Sequence, residues 1–180
     1  MTDRCVALLR GVNVGTAKRI AMAELRFLIE SFGYRDVSTL LNSGNVVFTE
    51  PRGKSGDAAP RIEKAIQERL GVSTRVTVMT GDEVAAAVRD NPLAEVALDP
   101  SRLLVLAPPD PKALKQLAPL LKERWAPEAI AVSSRVAYLW CAGGVVDSKL
   151  LKAASRALGE AATVRNIATM TKLSALAAGE

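Results

Sequence analysis

The chain has 180 residues, 49% hydrophobic and 24% charged, a composition that supports a folded globular protein and excludes a disordered one. It has no histidine and only two cysteines, which removes histidine-dependent general-base and nucleophile arrangements and a tetrahedral zinc set. The net charge of +5 admits an anionic partner, and no apolar run reaches the roughly 18 residues that span a bilayer.

The first residues pass directly into an apolar run without the charged-then-apolar layout of a signal peptide, so a cytoplasmic location is expected. Residues 5–9, Cys-Val-Ala-Leu-Leu, read as an unbroken apolar strand. A glycine-spaced basic loop follows, Arg10-Gly-Val-Asn13-Val-Gly15-Thr-Ala-Lys18-Arg19, with no acidic residue. Met22, Leu25, Leu28, Ile29 and Phe32 then recur at helical spacing up to Gly33. Strands over 37–41 and 46–49 are joined by the hairpin signal Asn42-Ser43-Gly44-Asn45. A connector rich in Pro, Gly, Ser and Lys over 51–57 is expected to be mobile. Ile62, Ala65, Ile66 and Leu70 give a second helix closed by Gly71. Val72, Thr74, Val76 and Val78 alternate with Ser73, Arg75 and Thr77, which predicts a strand over 72–78 with one dry and one wet face.

The order β-α-β-β-α-β is that of a ferredoxin-like unit, in which the first and third strands are central. Both of those strands are apolar without alternation, so both sheet faces should be covered, one of them by the second half of the chain. Thr80-Gly-Asp-Glu83 is a capping box opening a short helix that stops at Asn91-Pro92. The order then begins again. A strand over 103–106 is followed by a helix capped by Asp110 and started by Pro111, with Leu114, Leu117, Leu120 and Leu121 on one face. Strands over 129–132 and 136–141 form a hairpin across Ser133-Ser134-Arg135. A helix from about Asp147 carries Leu150, Leu151, Ala154 and Leu158, and a short strand over 162–164 leads to a last helix capped by Asn166, with Met170, Leu173 and Ala177 on one face. The expected class is α+β: two ferredoxin-like subdomains, a structural duplication, packed together with an extra C-terminal helix. Residues 1–80 would form the first subdomain, 81–100 a linker with a short helix, and 101–180 the second. Cys5 and Cys141 lie in apolar runs and read as small buried hydrophobes in a reducing compartment.

Five separated motifs, Ala7-Leu-Leu-Arg-Gly-Val-Asn-Val-Gly15, Met22-Ala-Glu-Leu-Arg26, Asn42-Ser-Gly-Asn-Val-Val-Phe48, Asp147-Ser-Lys-Leu150 and Thr163-Val-Arg-Asn166 with Thr171-Lys-Leu173, span nearly the whole chain. Together they closely resemble a bacterial family catalogued as domain of unknown function 1697. The resemblance implies a pair of ferredoxin-like subdomains and no particular reaction, cofactor or partner. The chain departs from the family pattern at Ile167, where members often carry an aromatic residue after the Arg-Asn pair.

Two basic clusters emerge from the topology. In a ferredoxin-like unit the first strand-to-helix loop and the second-to-third-strand hairpin share one end of the sheet. That places Arg10, Asn13, Lys18 and Arg19 beside Ser43 and Asn45, with free N–H groups at a helix start. This set suits a phosphate or carboxylate, although Gly-x-x-x-Gly is neither a P-loop nor a dinucleotide fingerprint. Its structural alternative is a turn shaped by Gly11 and Gly15, with Asn13 left-handed and the arginines solvated. The second cluster is Lys149, Arg165, Asn166, Thr169 and Lys172, at the starts of the last two helices. There the alternative has Asn166 as a cap, Lys149 paired with Asp147, and Arg165 bracing the last helix. Glu24 and Glu83 are explained by helix starts, and no carboxylate pair suits acid–base work. The expected function is a binding module for an anionic ligand, a nucleotide or nucleic-acid backbone, at loop 11–19 and hairpin 42–45. An enzyme acting on a phosphorylated or carboxylated small molecule and a self-associating structural protein are the alternatives. No cofactor, metal or membrane partner is expected.

Overall fold

The computed structural model describes residues 4–51, 56–160 and 162–180. Residues 52–55 of the expected mobile connector lie outside the described residues. By its contacts the chain divides into two compact units, Met1–Val84 with Leu173–Glu180, and Ala85–Lys172.

The first unit holds β1 (Arg4–Leu9), α1 (Met22–Glu30), β2 (Arg35–Leu40), β3 (Asn45–Thr49), α2 (Ala58–Leu70) and β4 (Val76–Thr80). The strands form one antiparallel sheet in the order β2-β3-β1-β4, with β1 and β3 central. Ala7, Leu9, Val46 and Phe48 pack with Leu25 and Ile29 of α1 and Ile62 and Ile66 of α2, each helix contributing the stripe its 3.6-residue period defines. Val6, Leu8 and Val47 point the other way and are also buried, so both faces of the central strands are dry.

β4 differs from the expected strand over 72–78. It starts at Val76, opposite Leu9, the last residue of β1, so residues 72–75 have no strand to pair with. Of its expected wet-face residues, Ser73 and Arg75 are exposed ahead of the strand, whereas Thr77 within it is fully buried along with Val76 and Met79. At the start of β1, the Arg4 guanidinium donates to the carbonyl of Leu176 at 3.2 Å and to the carbonyl of Asp36 at 3.1 Å. The last turns of the final helix are thereby tied to the first strand.

Thr80 opens α3 (Gly81–Arg89) with the reciprocal bonds of a capping box. The Glu83 amide donates to Thr80 Oγ1 at 3.1 Å, and the Thr80 amide donates to Glu83 Oε2 at 2.9 Å. Thr80→Ala should cost about 1 kcal/mol, seen as a lower urea midpoint. An unchanged midpoint would mean that the cap adds nothing.

The second unit holds β5 (Leu103–Ala107), β6 (Ala129–Val132), β7 (Ala137–Trp140), α4 (Lys149–Leu158), β8 (Thr163–Asn166) and the start of α5 (Ile167–Ala178). Its sheet runs β6-β7-β5-β8, again second, third, first and fourth strand in chain order, so one topology occurs twice and α5 is the additional helix. Leu104, Leu106, Ala137 and Leu139 pack with Leu114, Leu117, Leu150, Ala154 and Leu158. On the other face the buried Tyr138 hydroxyl donates to the Ala87 carbonyl at 2.8 Å, and burial raises its pKa.

Where one α-helix was expected after Asp110, the chain makes 3-10 turns, Pro111–Leu117 and Leu120–Lys122. Asp110 does cap the first, accepting from the Lys112 amide at 2.9 Å, but Pro119 has no N–H with which to continue a helical ladder. Both cysteines are buried and neither is in a disulfide, and burial pushes the Cys141 thiol up, away from thiolate chemistry.

Candidate functional site

The end of the first sheet is built by Asn13. β1 stops at Leu9, whose amide donates to the Gly44 carbonyl at 2.9 Å, and the Arg10 amide donates to the Arg75 carbonyl at 2.9 Å. Thr74 Oγ1 adds a bond to the Arg10 carbonyl at 2.7 Å, so the loop starts clamped between hairpin 42–45 and the approach to β4. Asn13 lies in the left-handed region (φ 55), which its short polar side chain tolerates. Its Nδ2 donates to the Asn42 carbonyl at 2.6 Å and to the Ile20 carbonyl at 2.8 Å, while its Oδ1 accepts from the Ile20 amide at 2.9 Å. Val12 and Ile20 are buried on either side, and residues 14–19 stand out between them into solvent.

The loop and hairpin thus adjoin, but the residues named from sequence play different parts. Both polar atoms of the Asn13 amide are engaged in holding loop to hairpin, so Asn13 positions the site. Asn45 is fully buried and shapes the hairpin from within, its Nδ2 donating to the Leu40 carbonyl at 2.9 Å and to Ser43 Oγ at 3.0 Å. Lys18 and Arg19 are exposed and enter no ion pair among the described residues, while Arg10 is half-buried at the loop's base. Arg75, passed over as a wet-face residue of an alternating strand, joins them at this end. Its guanidinium lies 3.7 Å from Glu63. α1 opens at Ala21 with no side-chain cap. Two exposed aliphatic residues flank the Asn13–Asn42 bond, Val14 (69% exposed) and Leu41 (53% exposed).

The second cluster is closed off at its helix starts. Leu103 pairs with Trp140 and Leu104 with Asn166, so β7 and β8 end together and α4 and α5 start at one end of their sheet. Ser148 caps α4, accepting from the Leu151 amide at 2.9 Å. The Leu150 amide donates to Glu128 Oε2 at 3.1 Å, so a carboxylate of this chain already occupies the place that an anion would take. Glu128 was not visible as a partner in sequence, because the hairpin 129–140 separates it from the helix it faces. Lys149 is exposed and enters no ion pair, with Asp147 or any other residue, among the described residues. Asn166 caps α5 by accepting from the Thr169 amide at 2.8 Å. Arg165 Nη1 donates to its neighbour's carbonyl, Val164, at 2.8 Å, and burial pushes its guanidinium down to about 10, still charged at neutral pH. Lys172 is exposed on α5 and Ile167 is half-buried at its first turn. Among the described residues no group of three or more His, Cys, Asp or Glu could hold a metal ion, and no helix is long and apolar enough to cross a membrane.

The family model described as protein of unknown function (DUF1697) matches residues 1–138. The chain belongs to that family. A solved structure, the conserved bacterial protein SP0830 from Streptococcus pneumoniae, is 21% identical with a TM-score of 0.79, covering 97% of this chain and 98% of that one. At that identity the likeness concerns the fold. Protein BT0572 from Bacteroides thetaiotaomicron is 8% identical with a TM-score of 0.23, covering 96% of this chain and 86% of that one, and is too dissimilar to carry an argument. No relative is found among curated proteins. The loop and hairpin of the first unit lie within the residues matched to DUF1697, whereas Lys149, Arg165, Asn166 and Lys172 lie beyond residue 138.

Proposed function

We propose that this DUF1697 protein is a binding module for an anionic ligand, a nucleotide or the backbone of a nucleic acid, held at loop 11–19 and hairpin 42–45. The observation that carries this reading is the loop itself. Asn13 fixes its two ends, and the exposed Lys18 and Arg19 stand on it without an acidic residue between 10 and 20 or between 41 and 45. Cations held on a fixed backbone lose less conformational freedom when they meet a ligand, so their charge converts more fully into affinity. Arg10 extends the positive charge toward the base of the loop, where the charge of Arg75 is partly offset by Glu63 at 3.7 Å. The second cluster contributes less to this reading, because Glu128 and Asn166 already satisfy the helix starts there.

The test is fluorescence anisotropy with a labelled single-stranded RNA and a nucleoside triphosphate across a salt series. Each phosphate contact to a single strand adds about −0.7 to the slope of log K against log salt, so Lys18→Ala with Arg19→Ala should flatten the slope by about 1.4. Both residues are exposed, so the melting temperature should stay within about a degree of the parent. Absence of binding to either probe at low salt, or an unchanged slope in the double variant, would remove the proposal.

A further inference from the structure

We infer that the loop–hairpin end of the first unit takes single-stranded nucleic acid, with phosphates at Lys18 and Arg19 and the face of an unstacked base against Val14 and Leu41. This rests on the anion-binding reading above and narrows it.

The key residue is Leu41. It sits in the left-handed region (φ 58), a conformation that disfavours any branched side chain and that Asn or Gly ordinarily fills. Asn42 and Gly44 are in the same turn, yet the leucine holds this position. It gains little burial in return, since half of it remains in solvent. A strained apolar residue that the fold leaves exposed fits a contact made outside the fold. Val14 is the corresponding residue on the loop. The 2.6 Å bond from Asn13 to the Asn42 carbonyl joins the residue before Val14 to the residue after Leu41, so the two aliphatic positions flank one fixed point. Lys18, with its own left-handed backbone (φ 51), and Arg19 lie farther along the same loop.

The occupant must then carry dense negative charge and an exposed apolar face. Inorganic phosphate and polyphosphate have the charge and no face to offer Leu41. A duplex buries its base faces in the stack, whereas a single strand splays them out where an exposed side chain can reach them. An acidic peptide that bound by adding a strand would pair along a sheet edge, whereas the cations stand at the sheet's end.

Anisotropy titrations with one short single-stranded RNA, the same sequence as a duplex, inorganic polyphosphate and an acidic peptide decide the matter. They would be run on the parent chain, Leu41→Asn and Val14→Ser. The single strand should bind several-fold tighter than duplex or polyphosphate. Leu41→Asn should weaken the single strand several-fold, with polyphosphate affinity and the salt slope unchanged. The same substitution should raise the melting temperature by a few degrees, because asparagine tolerates the left-handed backbone. A role confined to the fold cannot combine higher stability with weaker RNA binding. Val14→Ser, at an exposed position, repeats the binding test without touching the strained backbone. Equal affinity for polyphosphate and RNA, or RNA affinity unaltered in both variants, overturns this inference and leaves the anion site standing. Tighter binding of the peptide than of RNA also overturns it. If no polyanion binds, the anion reading falls and this inference falls with it.

Discussion

Gly44→Ala is expected to cost about 3 kcal/mol of folding stability, through two effects that act together. Gly44 has φ +80, where a residue with a Cβ is strained by about 1–2 kcal/mol. A Cβ built there would also lie 2.7 Å from Leu9 Cβ and 2.7 Å from Val12 Cγ2. Leu9 Cβ is rigidly attached to a central strand, and Val12 is buried at the loop's base, so neither can swing aside. Relieving such overlap by backbone movement costs about 1–3 kcal/mol. Gly15→Ala provides the comparison, because its φ is +64 and nothing lies within 4 Å of the added Cβ. It carries the strain alone and should lose about 1 kcal/mol. Urea denaturation of both variants separates the steric part from the strain. Equal losses would show that the hairpin yields freely and that close packing against β1 is not needed.

Asn13→Ala should lower stability by about 2 kcal/mol and loosen the candidate site without removing any charge from it. The alanine forfeits three side-chain hydrogen bonds, to the Asn42 carbonyl and to both backbone groups of Ile20. Each contributes about 0.5–1.5 kcal/mol net, and water recovers part of that at a half-exposed position. Alanine also tolerates the left-handed backbone less well than asparagine. The loss should appear locally as faster hydrogen exchange at the Ile20 amide, which would no longer have an acceptor. Asn13→Asp keeps that acceptor while losing both donors, so it should preserve Ile20 protection better than alanine does and still free the hairpin. If Ile20 exchanges at the parent rate in Asn13→Ala, the loop is held by its buried Val12 and Ile20, and Asn13 is not the latch. Binding to the anionic probe should weaken in parallel with loop opening, since Lys18 and Arg19 would have to be ordered on association.

Most of the fold was legible because its signals are local. The helical recurrence of Leu25, Leu28 and Ile29 and the unbroken apolar run 5–9 require no distant information. The hairpin at 42–45 and the Thr80–Glu83 capping box are equally local. The element order they yield is enough to name a repeated βαββαβ topology. The departures came where a distant partner, or its absence, decided the outcome. The alternation over 72–78 is a sound strand pattern, yet only residues from Val76 onward have β1 beside them. The leucines after Asp110 have helical spacing, yet Pro119 and packing against the second core produce 3-10 turns.

The site divides in the same way. Composition and spacing alone determined that residues 10–19 form a glycine-spaced basic loop without acidic residues, next to a turn, in a chain with no histidine. Only the tertiary structure decided which of those side chains face outward. It took the Asn13 amide and the buried Asn45 into the framework and left Lys18 and Arg19 in solvent. It also placed Glu128 against the start of α4, and it set Leu41 in a strained and exposed position. The physical reason is range. Charge and periodicity are properties of neighbouring residues, whereas a hydrogen-bond partner or a buried face depends on which segments, tens of residues apart, the sheet brings within 3 Å, roughly the reach of a hydrogen bond.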